Sequence, residues 1–126
     1  MFIDKESCSN CLVLEGGDIR RVISAIDKGG LRIALIVSNE GKLIGTISDG
    51  DIRRGLLRGL SLDSSLSKII NKSCLKANVL TNKNQIFKMM RENAIAQIPV
   101  VKENNEFIGL EISEDLLPNS SKFFIP

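Results

Sequence analysis

Ser48 and Asp51 stand three residues apart, where the apolar run Leu43-Ile44-Gly45-Thr46-Ile47 gives way to the helical phrase Asp51-Ile52-Arg53-Arg54. A carboxylate at such a turn can accept hydrogen bonds from both hydroxyls of a vicinal diol such as a ribose. Charge-assisted bonds of this kind are short and stronger than neutral ones. A serine hydroxyl beside it can reach the sugar or a phosphate, and the free N–H groups of a helix's first turn favour an anion. Arg54, three residues after Asp51, shares its helix face and can reach a ligand held there. The same spacing has a second reading. Ser-x-x-Asp at a helix start is close to a capping box, which satisfies the helix's own N–H groups with no ligand.

A strand ending near Ile47 and a helix from about Ser48 to Arg58, with Ile52, Leu56 and Leu57 inward, must hold that turn. The phrase Leu43 to Ile52 recurs, weakened, as Phe107 to Leu116, aligning without a gap at an offset of 64 residues that sets Gly45 over Gly109. Upstream, Ala34-Leu35-Ile36-Val37 overlies Ile98-Pro99-Val100-Val101, and Val22-Ile23 overlies Ile86-Phe87. A duplication defines an architecture before any single residue does. Each copy is too short to bury a good core alone, so the two are expected to pack together.

In the first copy the pattern predicts a strand over Leu12 to Leu14 and a helix capped near Asp18, with Ile19, Val22, Ile23 and Ile26 at helical spacing. Gly29-Gly30 ends that helix. Strands over Arg32 to Ser38 and Lys42 to Ile47 flank the turn Asn39-Glu40-Gly41. Leu66 to Ile70 forms one helical turn in the link to the second copy. There, a strand Ala77 to Leu80, a helix capped by Thr81, strands Ile98 to Lys102 and Glu106 to Ile112, and a short helix from Ser113 repeat the order. Residues 1 to 10 are polar and read as loose.

The residues Gly45, Thr46, Ile47, Ser48, Asp51 and Ile52 resemble the signature of the CBS domain, which usually occurs as a tandem pair. The second copy keeps Gly109, Asp115 and Leu116 but has Glu111 in an apolar slot and Ile112 in place of the hydroxyl residue. The resemblance covers Leu12 to Leu117 and implies an α/β fold of two β-α-β-β-α units about a pseudo-twofold axis. On this division residues 1–62 are a tail and the first unit, 63–120 a linker and the second, and 121–126 a tail toward a further domain. The resemblance implies that Ser48 and Asp51 hold the ribose of AMP, ADP, ATP or another adenosyl compound. It assigns the base to Leu12, Val13, Ile33, Ala34 and Leu35, with Ile98 and Pro99 nearby, although each of these taken singly reads as plain core. Arg32 and Gln97 join Arg54 as phosphate contacts. Asp115 marks a weak second site, because its partner hydroxyl is lost and Pro118 stands where Arg54 does in the first copy. One nucleotide per chain is expected.

With 126 residues, 43% of them apolar, and no Trp or Tyr, the core must be aliphatic. A net charge of +2 leaves no nucleic-acid footprint. The longest apolar run, Ile33 to Val37, is far short of the ~20 residues needed to span a bilayer. Met1 to Glu6 has no basic segment before an apolar stretch, so no secretory signal is read and the cytoplasm is the expected compartment. Cys8, Cys11 and Cys74 leave an odd thiol under any internal pairing, which argues against a disulfide framework. Cys8-Ser9-Asn10-Cys11 has the spacing of a redox pair or half a zinc site. No His is present, however, and Cys74 is the only further thiol. No metal site is read.

Nor does any motif supply a nucleophile with a positioned base. The CBS resemblance accordingly implies a regulatory module with no required cofactor and an adenine nucleotide as its ligand. It would control an attached or partner enzyme and form a homodimer. The wording of Gly45 to Asp63 most resembles the N-terminal CBS pair of bacterial sugar-1-phosphate nucleotidyltransferases, and Phe123-Phe124-Ile125-Pro126 would suit the first strand of a catalytic domain. The alternative is a structural dimerisation module whose nucleotide sites have decayed. A thiol redox or zinc protein resting on Cys8 and Cys11 is the third class.

Overall fold

Short apolar runs, each closed by glycine, asparagine or serine, give strands and helices of few residues. The computed structural model describes residues 1–113. In chain order the elements are β1 (Phe2–Asp4), β2 (Leu12–Leu14), α1 (Ile19–Gly29), β3 (Ile33–Val37), β4 (Leu43–Ser48), α2 (Asp49–Leu57), β5 (Ala77–Asn78), α3 (Lys83–Asn93), β6 (Gln97–Val101) and β7 (Phe107–Ile112). Single 3-10 turns cover Ser9–Cys11 and Leu66–Lys68. The first unit is the β-α-β-β-α order expected of it. The second shows β-α-β-β, and the helix expected from Ser113 lies outside the described residues, as do Asp115 and the 121–126 tail.

Each unit makes one sheet. In the first, β2 runs parallel to β3 and β3 antiparallel to β4. In the second, β5 is parallel to β6 and β6 antiparallel to β7. Strand β3 reads Ile-Ala-Leu-Ile-Val and is buried throughout, because both its faces are covered. Ala34 and Ile36 turn toward α1, joining Val22, Ile26 and Ile47. Ile33, Leu35 and Val37 turn the other way and meet Val101, Phe107, Leu110 and Ile112 of the second sheet. The core is thus three layers deep, with one layer shared between the units.

The two copies meet through equivalent residues. Lys42 bridges Glu106, its counterpart 64 positions on. Leu43 N–H donates to Asn105 O at 2.9 Å, and Phe107 N–H donates to Gly41 O at 3.0 Å. Gly41 and Asn105 both take the left-handed conformation, at φ 81° and 71°. The reciprocity of these bonds places the pseudo-twofold axis between the two hairpin turns.

A second exchange joins the units at their edges. The linker residue Asn71 pairs with Thr46 of β4 through two backbone hydrogen bonds of 2.9 and 3.1 Å. On the other side, β1 pairs antiparallel with β7, matching Ile3 to Leu110. Each unit's last strand is therefore covered by the segment that precedes the other unit. Both repeated glycines lie under these straps. A Cβ on Gly45 would stand 2.5 Å from Asn71 O, and one on Gly109 would stand 2.6 Å from Ile3 O. A side chain at either place would push the strap away.

Three expectations need correction. Residues 1–10 are not loose, since they hold β1 and the turn at Ser9–Cys11. Asn82, not Thr81, caps α3, in a box with Gln85. Leu56 and Leu57 do not face inward: α2 packs through Ile52 and Gly55, the latter tight against Ile69, and leaves Leu57 81% exposed. A nine-residue helix that buries only Ile52 and Gly55 has one narrow buried stripe.

Candidate functional site

The turn from β4 into α2 forms both halves of the capping box. Ser48 Oγ accepts from Asp51 N–H at 3.2 Å, and Asp51 Oδ2 accepts from Ser48 N–H at 2.9 Å and from its hydroxyl at 3.1 Å. Asp51 Oδ1 accepts from Arg54 Nη2 at 2.8 Å, an ion pair one helical turn long. The carboxylate is thus oriented by the helix start and keeps 23% of its side chain exposed. The capping reading describes the bonds between Ser48 and Asp51. It leaves open why they open onto a cleft.

That cleft has a volume of about 440 Å³ and lies between the units. Ser48, Asp51, Arg54 and Thr46 form its first-unit wall, with Ile33 at the base of β3. Ile95, Gln97 and Pro99 face them from the second unit. The linker closes one side through Asn71, Ser73, Cys74 and Leu75, held there by the Asn71–Thr46 pairing. One carboxylate, one guanidinium, several neutral polar groups and the apolar side chains of Ile33, Leu75, Ile95 and Pro99 therefore converge on one space. A sugar diol with a flat apolar ring on one side and an anion on the other has matching chemistry.

Of the residues read from the sequence, Ser48, Asp51, Arg54, Ile33, Gln97 and Pro99 come together here. Gln97 also donates to Leu31 O at 2.6 Å, tying the second unit to the loop before β3. The others lie elsewhere. Ala34, Leu35 and Ile98 are fully buried, their side chains committed to the three core layers. Val13 packs in the core of the first unit and lines a separate hollow beside Asp18 and Asp63, while Leu12 lies against the inter-sheet layer. Arg32, left-handed at φ 62°, lines another hollow with Asp27 and Asp49. The linker residues Asn71 to Leu75 carry no periodicity that would mark them in the sequence. The only hint was Gly45, whose missing side chain marks where a backbone must approach.

Around the second copy of the turn the chemistry differs. Ile112, counterpart of Ser48, is buried in the inter-sheet layer. Its N–H donates to Met1 O at 2.9 Å, and the Met1 ammonium donates to Ile112 O at 2.7 Å. Glu111, in an apolar slot of the signature, is buried with Oε1 3.0 Å from that ammonium. By distance this is an ion pair, but among the described residues Oε1 has no partner in hydrogen-bonding geometry, so its charge is balanced while its lone pairs go unsatisfied there.

The cysteines separate by environment. Cys8 and Cys11 are buried, and desolvation pushes the Cys8 thiol up to about 11 and the Cys11 thiol up as well. Thiolate chemistry is disfavoured at both. Cys74 is half-buried in the cleft wall. Desolvation raises its thiol too, a hydrogen bond with the Thr46 side chain pulling partly back. At pH 8, iodoacetamide is expected to alkylate Cys74 before Cys8 and Cys11, and more slowly than a free thiol. A ligand in the cleft should slow it further. Mass spectrometry of the modified peptides checks the order, and equal labelling of all three thiols would contradict it.

A family model described as "CBS domain" matches residues 12–58 and again 66–110. Among curated relatives the chain is 27% identical over 110 residues to an arabinose 5-phosphate isomerase, KdsD, of Pseudomonas aeruginosa, covering 83% of this chain and 32% of that protein. The chain spans about a third or less of the length of the curated relatives it matches. Among solved structures, the CBS domain pair of protein MJ0100 in complex with methylthioadenosine and S-adenosylmethionine superposes with a TM-score of 0.72 at 22% identity, over 90% of either chain. CbpB in complex with c-di-AMP gives 0.74 at 18% identity, over 98% of this chain and 83% of that one. At such identities the likeness speaks for the fold.

Proposed function

Because the chain belongs to the CBS domain family, matched twice along its length, we propose that it is a ligand-sensing regulatory module whose inter-unit cleft binds an adenine nucleotide. One observation carries the reading: a partly exposed, helix-oriented carboxylate and an arginine share a cleft with Ile33, Ile95 and Pro99. The ribose goes to Asp51 and Ser48, the base to the apolar side and the phosphate to Arg54. The adenosyl ligands of the MJ0100 and CbpB structures support that choice of ligand class. Burial of Ile112 and the contacts of Met1 beside it support a single site per chain.

The module would transmit occupancy by shifting one unit against the other, since the ligand touches both. Its target we read as a sugar-1-phosphate nucleotidyltransferase, on the wording of Gly45 to Asp63, in the cytoplasm. The match to an isomerase of a sugar phosphate supports sugar-phosphate enzymes more broadly. A nucleotide-dependent change in the rate of that enzyme when joined to the module is the check. Exposed Leu56 and Leu57 on α2 support a homodimer through helices. Light scattering that gave a single 13.8 kDa species with and without nucleotide would remove that part.

Titration of AMP, ADP, ATP and S-adenosylmethionine by calorimetry, with melting curves in parallel, tests the ligand. At about 100 times its dissociation constant a ligand adds about 2.7 kcal/mol, which is several degrees of melting temperature for a domain of this size. No heat and no shift at millimolar concentration would favour the structural module, in which Ser48 and Asp51 only cap α2.

A further inference from the structure

A carboxylate offers about four acceptor positions, and three of those on Asp51 are filled. Arg54 holds Oδ1, and the N–H and hydroxyl of Ser48 hold Oδ2. A vicinal diol needs two. One partner must therefore leave before both hydroxyls can be accepted. Ser48 N–H cannot, because the helix start fixes it, and Ser48 Oγ, held by Asp51 N–H in the same box, can turn its proton aside but cannot itself move away. Arg54 can. Its side chain is 62% exposed and lies over Gly50, where even a methyl group would come within 3.1 Å of Nη1. Among the described residues lining the cleft it is also the only cation.

We infer that Arg54 is an exchangeable latch that makes the cleft selective for nucleoside phosphates over nucleosides. The inference rests on the nucleotide reading above. When the diol takes Oδ1, the guanidinium gives up one anion and needs another within reach of the same helix face. A 5′-phosphate supplies it, so the charge pairing is exchanged and not lost. A bare nucleoside displaces Arg54 and returns nothing.

Calorimetry of adenosine and AMP against the wild-type chain, Arg54→Ala and Arg54→Lys tests this. The wild type is expected to favour AMP by about tenfold or more, the worth of a charge-assisted hydrogen bond. In Arg54→Ala, AMP should weaken by about that factor while adenosine holds or tightens, so the preference collapses toward one. Arg54→Lys should restore part of it, because a lysine keeps the charge without the fork. Equal weakening of both ligands in Arg54→Ala, or an AMP preference that survives it, would overturn the latch and leave the nucleotide site standing. Absence of binding by either ligand to the wild type at millimolar concentration would sink both.

Discussion

Asp51→Ala is expected to weaken adenine nucleotide binding by about ten- to a hundredfold, the loss of charged hydrogen bonds worth about 1.5–3 kcal/mol. Calorimetry reads it directly. The same change removes one half of the capping box, so stability must fall too, by about 0.5–2 kcal/mol on the scale of helix caps. Separating these effects is the purpose of Ser48→Ala, which opens the other half of the box and keeps the carboxylate. A capping role alone predicts that both variants melt earlier and bind alike. A ribose role predicts that Asp51→Ala loses far more affinity than Ser48→Ala for a similar loss of stability. If the nucleotide binds Asp51→Ala as it binds the wild type, the ligand has been placed at the wrong turn.

Phe107→Ala is the substitution with the largest expected cost to the fold. Phe107 is fully buried at the start of β7 and lies in the layer where the sheets meet, among Leu35, Leu43 and Leu110. Truncating a buried phenylalanine costs about 3–5 kcal/mol, from lost transfer energy and from the cavity left behind. Against a total stability of about 5–15 kcal/mol, that lowers the melting temperature on the order of ten degrees. Because both sheets supply the layer, the variant should still melt in one transition. Two separate transitions in calorimetric scans of either protein would show that the units hold independent cores.

Much of the architecture could be read beforehand because the chain states it twice. The gapless offset placed the hairpins, the paired glycines and the first strand-to-helix turn, and the polar groups of that turn were legible because their spacing is that of a helix start. What failed to show depended on contacts between distant segments. Phe2–Asp4 alternates too briefly to announce a strand, and becomes one only because β7 presents an edge. Leu56 and Leu57 follow helical spacing, yet α2 lies so that Gly55, not a leucine, meets Ile69. The family resemblance gives Ala34, Leu35 and Ile98 to the base, while three-layer packing buries their side chains in the core. The stretch from Asn71 to Leu75 carries no pattern, and gains its place in the cleft wall from one pairing with Thr46.

The strap of β1 over β7 determines how the molecule would answer to tension. Phe2 lies opposite Glu111 and Asp4 opposite Gly109, so the first residue sits beside the end of β7, the last strand of the described chain. A load applied between Met1 and Ser113 would meet the backbone bonds of that ladder one after another, opening it as a zipper opens. Such a geometry yields at low force, whereas strands pulled along their length would have to break all their bonds together. The first edge bared would be that of the second unit, at Gly109 to Glu111, and the first unit would stay closed by its own strap at Asn71.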